Sequence, residues 1–356
     1  MNIEELNRVV QTIKTNPDVL NNIPEKYLQP KEIRNKLTGA FFTSIKPSKH
    51  SKCIYPKCIE EAIASHSIQH ALLNTISNPN KEILHFGFDI SKMEFKKIVK
   101  PIPTSEASTF LGFCNKHDSE IFYPIENNLR PLLSTDNEQM FLLTYRAICR
   151  EYVKAKESSN TIKKFLSQIN NHEELNDYAQ FFAILEAYQG YCELHWLECL
   201  KVKCDELLQH KKYEQLFDYR YIEIQKQLSL FAESFFAVQG ATEDIIYKKD
   251  ITKEMPLYCA MTIIPNDGHT KIFYSVLKEQ TNELKAFLRR FESKDYELEC
   301  FITDCIIRNC DNFYISEDFW RKIPSDDRKK LQHHFYKTII DREYDLSNEL
   351  NFFEYL

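Results

Sequence analysis

The sequence predicts an α+β protein: a zinc-bound module in the first third, then a mostly helical domain that carries one small β-hairpin. Three observations carry this. Cys53 and Cys58 form one close pair in K-C-I-Y-P-K-C, and Cys114 and His117 form another in G-F-C-N-K-H-D. Two such pairs separated by a longer insert are how small domains hold a tetrahedral Zn²⁺. Beyond residue 136, long stretches place apolar residues three and four apart, the helical period. Finally, P-N-D-G at residues 265–268 sits between two β-type runs, a strong hairpin signal.

Taken in order, residues 1–30 read as a helical lead-in, with N-I-E-E-L-N-R-V-V-Q-T-I at helical spacing until Pro24 and Pro30 interrupt it. Residues 31–135 hold the ligand set in short mixed elements. A-I-A-S-H-S-I-Q-H-A-L-L-N-T-I suits a helix in its second half and N-P-N at Pro79 a turn. E-I-L-H-F-G-F-D-I alternates enough for a strand, I-V-K-P-I-P-T is extended, and S-E-A-S-T-F-L-G-F-C is a helix start or turn. Residues 136–356 form the mainly helical domain. It has a break or cap in E-S-S-N-T-I-K-K-F near residue 160 and the hairpin near 255–275. After Cys310 the spacing predicts a new helix with Ser316 as N-cap and Trp320 in the core.

With 356 residues and 43% hydrophobic content, the chain can build real cores. Only 6 glycines are present, and neither G-x-G-x-x-G nor G-x-x-x-x-G-K-[ST] occurs, which excludes nucleotide binding by those loops. A net charge of −6 is unlike a general nucleic-acid coat. Lys46, Lys49, Lys52 and Lys57 nevertheless fall in a stretch without acids, either a phosphate-steering patch or a solvated loop. Eleven cysteines, an odd count without a signal peptide, point to a reducing cytoplasm. No apolar run approaches the roughly 20 residues that span a bilayer.

The insert between the ligand pairs carries His66 and His70 in A-S-H-S-I-Q-H. The order of a Cys pair, a His followed by an apolar residue one step on, a Cys-x-x-His pair and then a polar residue resembles the treble-clef HNH (His-Me finger) nucleases over residues 50–125. That resemblance implies a treble-clef module with Cys53, Cys58, Cys114 and His117 on a structural zinc. It makes His66 the general base and Asp118 a ligand of a catalytic Mg²⁺ or Mn²⁺. It further implies an endonuclease acting on DNA ahead of RNA, of a kind that serves bacterial phage defence. Ser65 stands where the family commonly has Asp, and no Asn stands at the expected spot before Cys114, where Ser108 and Thr109 lie instead. A non-catalytic zinc-stabilised adaptor or nucleic-acid-binding protein therefore stays open, with the helical domain binding a partner or forming a homo-oligomer. The R-x₄-H spacing of Arg328 and His333 is similar to HEPN-type ribonucleases, and a charged helix face explains it equally well.

Overall fold

In a computed structural model, residues 51–87, 98–127, 131–169, 177–238, 241–242, 245–246, 253–340 and 350–356 are described. The expected lead-in at 1–30, Lys46 and Lys49 lie outside them. The chain divides into two compact units. Tyr152–Cys199 belongs to one; His50–Glu151, Leu200–Asp250 and Glu254–Leu356 make up the other, which carries the candidate site.

The second unit corrects the expected fold. Its centre is a seven-stranded, wholly antiparallel sheet, not a helical domain with a small hairpin. The strands are β2 (Glu82–Phe86), β3 (Val99–Pro103), β5 (Phe217–Ile224), β6 (Leu230–Ala237), β9 (Tyr258–Asn266), β10 (His269–Leu277) and β11 (Phe313–Ile315), in the order β3-β2-β11-β6-β9-β10-β5. The predicted hairpin exists as β9–β10. Asp267 and Gly268 turn at φ 47° and 86°, the left-handed pair that a two-residue hairpin loop requires. It is a central pair of the sheet rather than an isolated ribbon.

The physical reason for the miss is burial on both faces. Six of the eight residues of L-F-A-E-S-F-F-A in β6 are apolar, and all but the last are buried. A strand covered on both faces shows no alternation and reads like a buried helix. One face packs Leu230, Ala232, Met261, Ile263, Ile272 and Val276 into the main core. The helices α6 (Asp295–Asn309), α7 (Glu317–Lys322) and α8 (Ser325–Ile340) contribute Phe301, Ile306, Trp320 and Leu331 to that core. α5 (Lys285–Arg290) adds Leu288. Ser316 caps α7 by accepting from Phe319 N–H at 3.0 Å, and Trp320 is buried, both as expected.

Thr144, on the first half of α3 (Asn137–Ile169), makes a 2.8 Å hydroxyl contact with Ser275 of β10. α3 runs through residue 160 without the expected break. α4 (Asp177–His210) supplies its last turns to the same unit. β2 and β3, inside the segment assigned to the zinc module, belong to the large sheet. Two further two-stranded pieces complete the strands: β1 (Ala64–His66) with β4 (Thr109–Leu111), and β7 (Ala241–Thr242) with β8 (Ile245–Ile246).

Candidate metal centre and histidine site

The first ligand pair sits on a turn closed by an isolated bridge between Lys52 and Glu61. Cys53 N–H donates to Glu60 O at 2.9 Å, and Cys58 N–H donates to Tyr55 O at 3.1 Å. Lys57, at φ 62°, takes the left-handed conformation that swings Cys58 back toward Cys53. The second pair opens α2 (Asn115–Glu126): Cys114 is its N-cap residue and His117 lies in its first turn. Ile54 N–H donates to Gly112 O at 2.8 Å, which ties the two turns together. A side chain at Gly112 would run into the Phe110 ring and force it to shift.

The four side chains converge. Their ligand atoms lie within 4.8 Å of one another. Cys53 Sγ is 3.5 Å and Cys114 Sγ 3.2 Å from His117 Nδ1, and Cys58 Sγ is 3.9 Å from Cys114 Sγ. Metal–sulfur bonds of ~2.3 Å in a tetrahedron put ligand atoms about 3.7 Å apart, so the set could hold one metal ion. Burial pushes the Cys53 thiol up to about 11. Burial also raises Cys114, but the His117 N–H, the neighbouring thiols and the Lys116 N–H outweigh it and leave it below its ordinary value. A helix start lowers a thiol in this way. Burial, then Lys116, lowers His117 toward the neutral form that binds metal. Tyr55 stacks on the His117 ring at 4.1 Å and fixes its plane.

β1 carries Ser65 and His66 and pairs with β4 in the register Ser65↔Phe110 and His66↔Thr109. Ser65 points inward and is buried; His66 is half-buried. His66 Nε2 lies 3.3 Å from Thr104 O. A carbonyl only accepts, so this contact assigns the proton to Nε2 and leaves Nδ1 as the acceptor. Burial lowers the pKa of His66, with His70 and Arg146 adding to it and the Thr104 carbonyl and Glu126 opposing. Asp118, in the first turn of α2, is raised by burial and by Glu126, while the Ser65 hydroxyl and Arg146 lower it. Ser65 Oγ makes no full hydrogen bond. It sits beside Asp118 close enough to favour the carboxylate. Among the described residues, the Cys₃His set is the single group of three or more such side chains gathered to metal distance.

Of the lysines, Lys52 donates to Ile59 O at 2.8 Å and so closes the knuckle. Lys57 is exposed at its tip. Glu60 and Glu61 stand on the returning strand, so the acid-free stretch meets acids in space. Arg328 lies over the Trp320 ring at 5.9 Å, and His333 is exposed. Five residues along a helix place them about 140° apart, on different faces.

Three residues that the sequence did not flag organise the site. Thr104 anchors His66 from 38 positions away. Arg146 donates from Nη1 to His66 O at 3.0 Å and to Glu126 at 2.7 Å, with its guanidinium 4.5 Å over Phe122. Glu233 is buried in mid-sheet with neither carboxylate oxygen hydrogen-bonded among the described residues. Burial brings it up to about 7 against the pull of Arg146, Ser67 and Arg150. Arg146 and Glu233 each had a signal, a charge inside an apolar run. Thr104 had none. In comparison with known proteins, the chain matches no family model, no curated protein and no solved structure.

Proposed function

We propose that the chain is a zinc-stapled nuclease of HNH-like type that hydrolyses nucleic-acid phosphodiesters, DNA ahead of RNA, in a reducing cytoplasm. One observation carries the reading. His66 is held through Nε2 on the Thr104 carbonyl in β1, the strand that follows the turn bearing the Cys/His cluster, while its neighbour Ser65, on the opposite face of that strand, is the residue beside Asp118. Three thiolates and one imidazole are the donor set of a closed structural zinc. The downward shift of His66 keeps its imidazole neutral near pH 7, as a base that takes a proton from water must be. Asp118 is the carboxylate placed to hold a Mg²⁺ or Mn²⁺, which when bound would supply charge stabilisation to the phosphoryl oxygens. Lys57 is placed to meet phosphate at the knuckle tip.

The rival reading is a zinc-bearing adaptor without chemistry, and Ser65 in place of a carboxylate favours it. The test is cleavage of plasmid DNA and structured RNA with added Mg²⁺ or Mn²⁺. Wild type is compared with His66→Ala and Asp118→Asn, with zinc per chain measured in all three. Loss of cleavage in both variants at unchanged zinc supports the nuclease. Zinc at full occupancy without cleavage in any protein supports the adaptor.

A further inference from the structure

His70 is not used by the reading above, yet it is built into the same corner. It opens α1 (His70–Thr75) and is exposed. Its ring lies 5.1 Å from that of His66, tilted by 33°. Thr104 serves both: its carbonyl takes His66 Nε2, and its Oγ1 lies 3.2 Å from His70 Nε2. The Thr104 hydroxyl donates its own hydrogen to Asn74 Oδ1 at 2.9 Å. His70 Nε2 thus meets an accepting oxygen at Thr104 and, at 3.4 Å, the donating Nδ2 of Asn74, so it can serve as donor to the first or acceptor from the second. Two imidazoles thus hang from one residue by the same nitrogen, and among the described residues neither Nδ1 has a partner.

We propose that His70 is a second catalytic residue, the proton donor to the leaving oxygen of the phosphodiester whose attacking water is deprotonated by His66. The proposal rests on the nuclease reading. The balance closes. A water O–H proton passes to His66 Nδ1 as the water oxygen bonds to phosphorus. The phosphorus–leaving-oxygen bond breaks, and that oxygen takes the Nδ1 proton of cationic His70. The products are a phosphate monoester and an alcohol, and solvent returns the proton from His66 to His70. Two imidazoles this close disfavour double protonation, so the pair holds one proton over a pH interval. His66 is half-buried and faces His70, Glu126 and Arg146. His70 meets water, Asn74, Thr104 and His66. Of the two rings, His70 is the one that water reaches, and the acid's role is assigned to it on that geometry.

The test is His70→Gln, which keeps an N–H for Thr104 Oγ1 and removes the titration. Wild-type cleavage is expected to be bell-shaped in pH, rising as His66 loses its proton and falling as His70 loses its own. The variant should lose the high-pH limb and about 10²-fold in rate. Imidazole NMR on the zinc-loaded protein gives an independent readout. In wild type, a short single-stranded phosphorothioate DNA should shift both ring signals; in His70→Gln, the His66 titration should move to higher pH. A variant that keeps the full rate and the bell, while His66→Ala is inactive, overturns the role of His70 and leaves the nuclease standing. No cleavage by wild type and no shift of either ring overturns both.

Discussion

The knuckle around Lys52–Glu61 and the central strands β6, β9 and β10 solve opposite problems. The knuckle buries Cys53, one of the four side chains that could hold a metal ion, but leaves Ile59 in water, with Ile63 exposed just beyond it. Beyond its few backbone bonds it is closed by Lys201. That ammonium donates to Ile54 O at 2.8 Å and to Asp205 at 2.6 Å. The strands are buried along nearly their whole length on both faces. One region has few polar contacts and a Cys/His cluster that could hold a metal ion, the other is ordered by apolar area. On the proposed reading the chemistry sits in the loop-rich segment, and loops on a rigid scaffold commonly hold function in this way.

The sharpest way to break that comparison is to remove the metal. Structural zinc contributes about 10–16 kcal/mol in small modules, far more than any single side chain. Chelation, or Cys114→Ser, should release the amides of residues 51–66 and 109–118 to hydrogen exchange while those of β6, β9 and β10 stay protected. Simultaneous loss of protection in the sheet would show that the two regions are one cooperative unit. The converse perturbation is Phe301→Ala. Phe301 is buried against Phe287 and Phe291 with the Arg290 guanidinium 4.3 Å from its ring. The truncation should cost about 3–5 kcal/mol in chemical denaturation and leave zinc stoichiometry unchanged.

Glu233 lies within β6, in the sheet region, and its effect depends on pH. Its carboxyl is raised to about 7 from an ordinary 4.5, so between those values the folded chain binds more protons than the unfolded one. Stability from this group therefore falls as pH rises from about 4.5 to 7, and the full penalty is present above that. Glu233→Gln should relieve it, by up to about 3 kcal/mol at pH 8 and by almost nothing at pH 4. Thermal midpoints at the two pH values check this; an equal shift at both would remove the carboxylate's charge as the cause.

What was readable in the sequence follows the same division. The ligand set needs only residue types at close spacing, and Cys53, Cys58, Cys114 and His117 do meet. The β9–β10 turn was readable because Asp-Gly is among the few dipeptides that take both left-handed positions. Strands β5, β6 and β11 were not, because their partners come from distant segments. β6 pairs with β9 and with β11, some 30 and 80 residues on. Thr104 was invisible for a similar reason: its role depends on where β3 ends relative to β1, which no local pattern encodes.

The smallest expected effect probes the seam. Tyr314 of β11 accepts from Ser108 N–H at 2.6 Å and donates to Asn312 Oδ1 at 3.2 Å, and Asn312 Nδ2 donates to Ser67 Oγ at 2.8 Å. These bonds latch the segments flanking β1 and β4 to the sheet. Tyr314→Phe keeps the ring beside His85 and orphans a buried N–H, which should cost about 1–2 kcal/mol. If the latch couples the regions, the same substitution should lower the protection of residues 64–68 and 107–111 more than that of β9. It should also weaken zinc retention against a chelator. A double-mutant cycle with Asn312→Ala measures the coupling directly. Strict additivity would mean that the knuckle and the sheet meet at this seam without communicating through it.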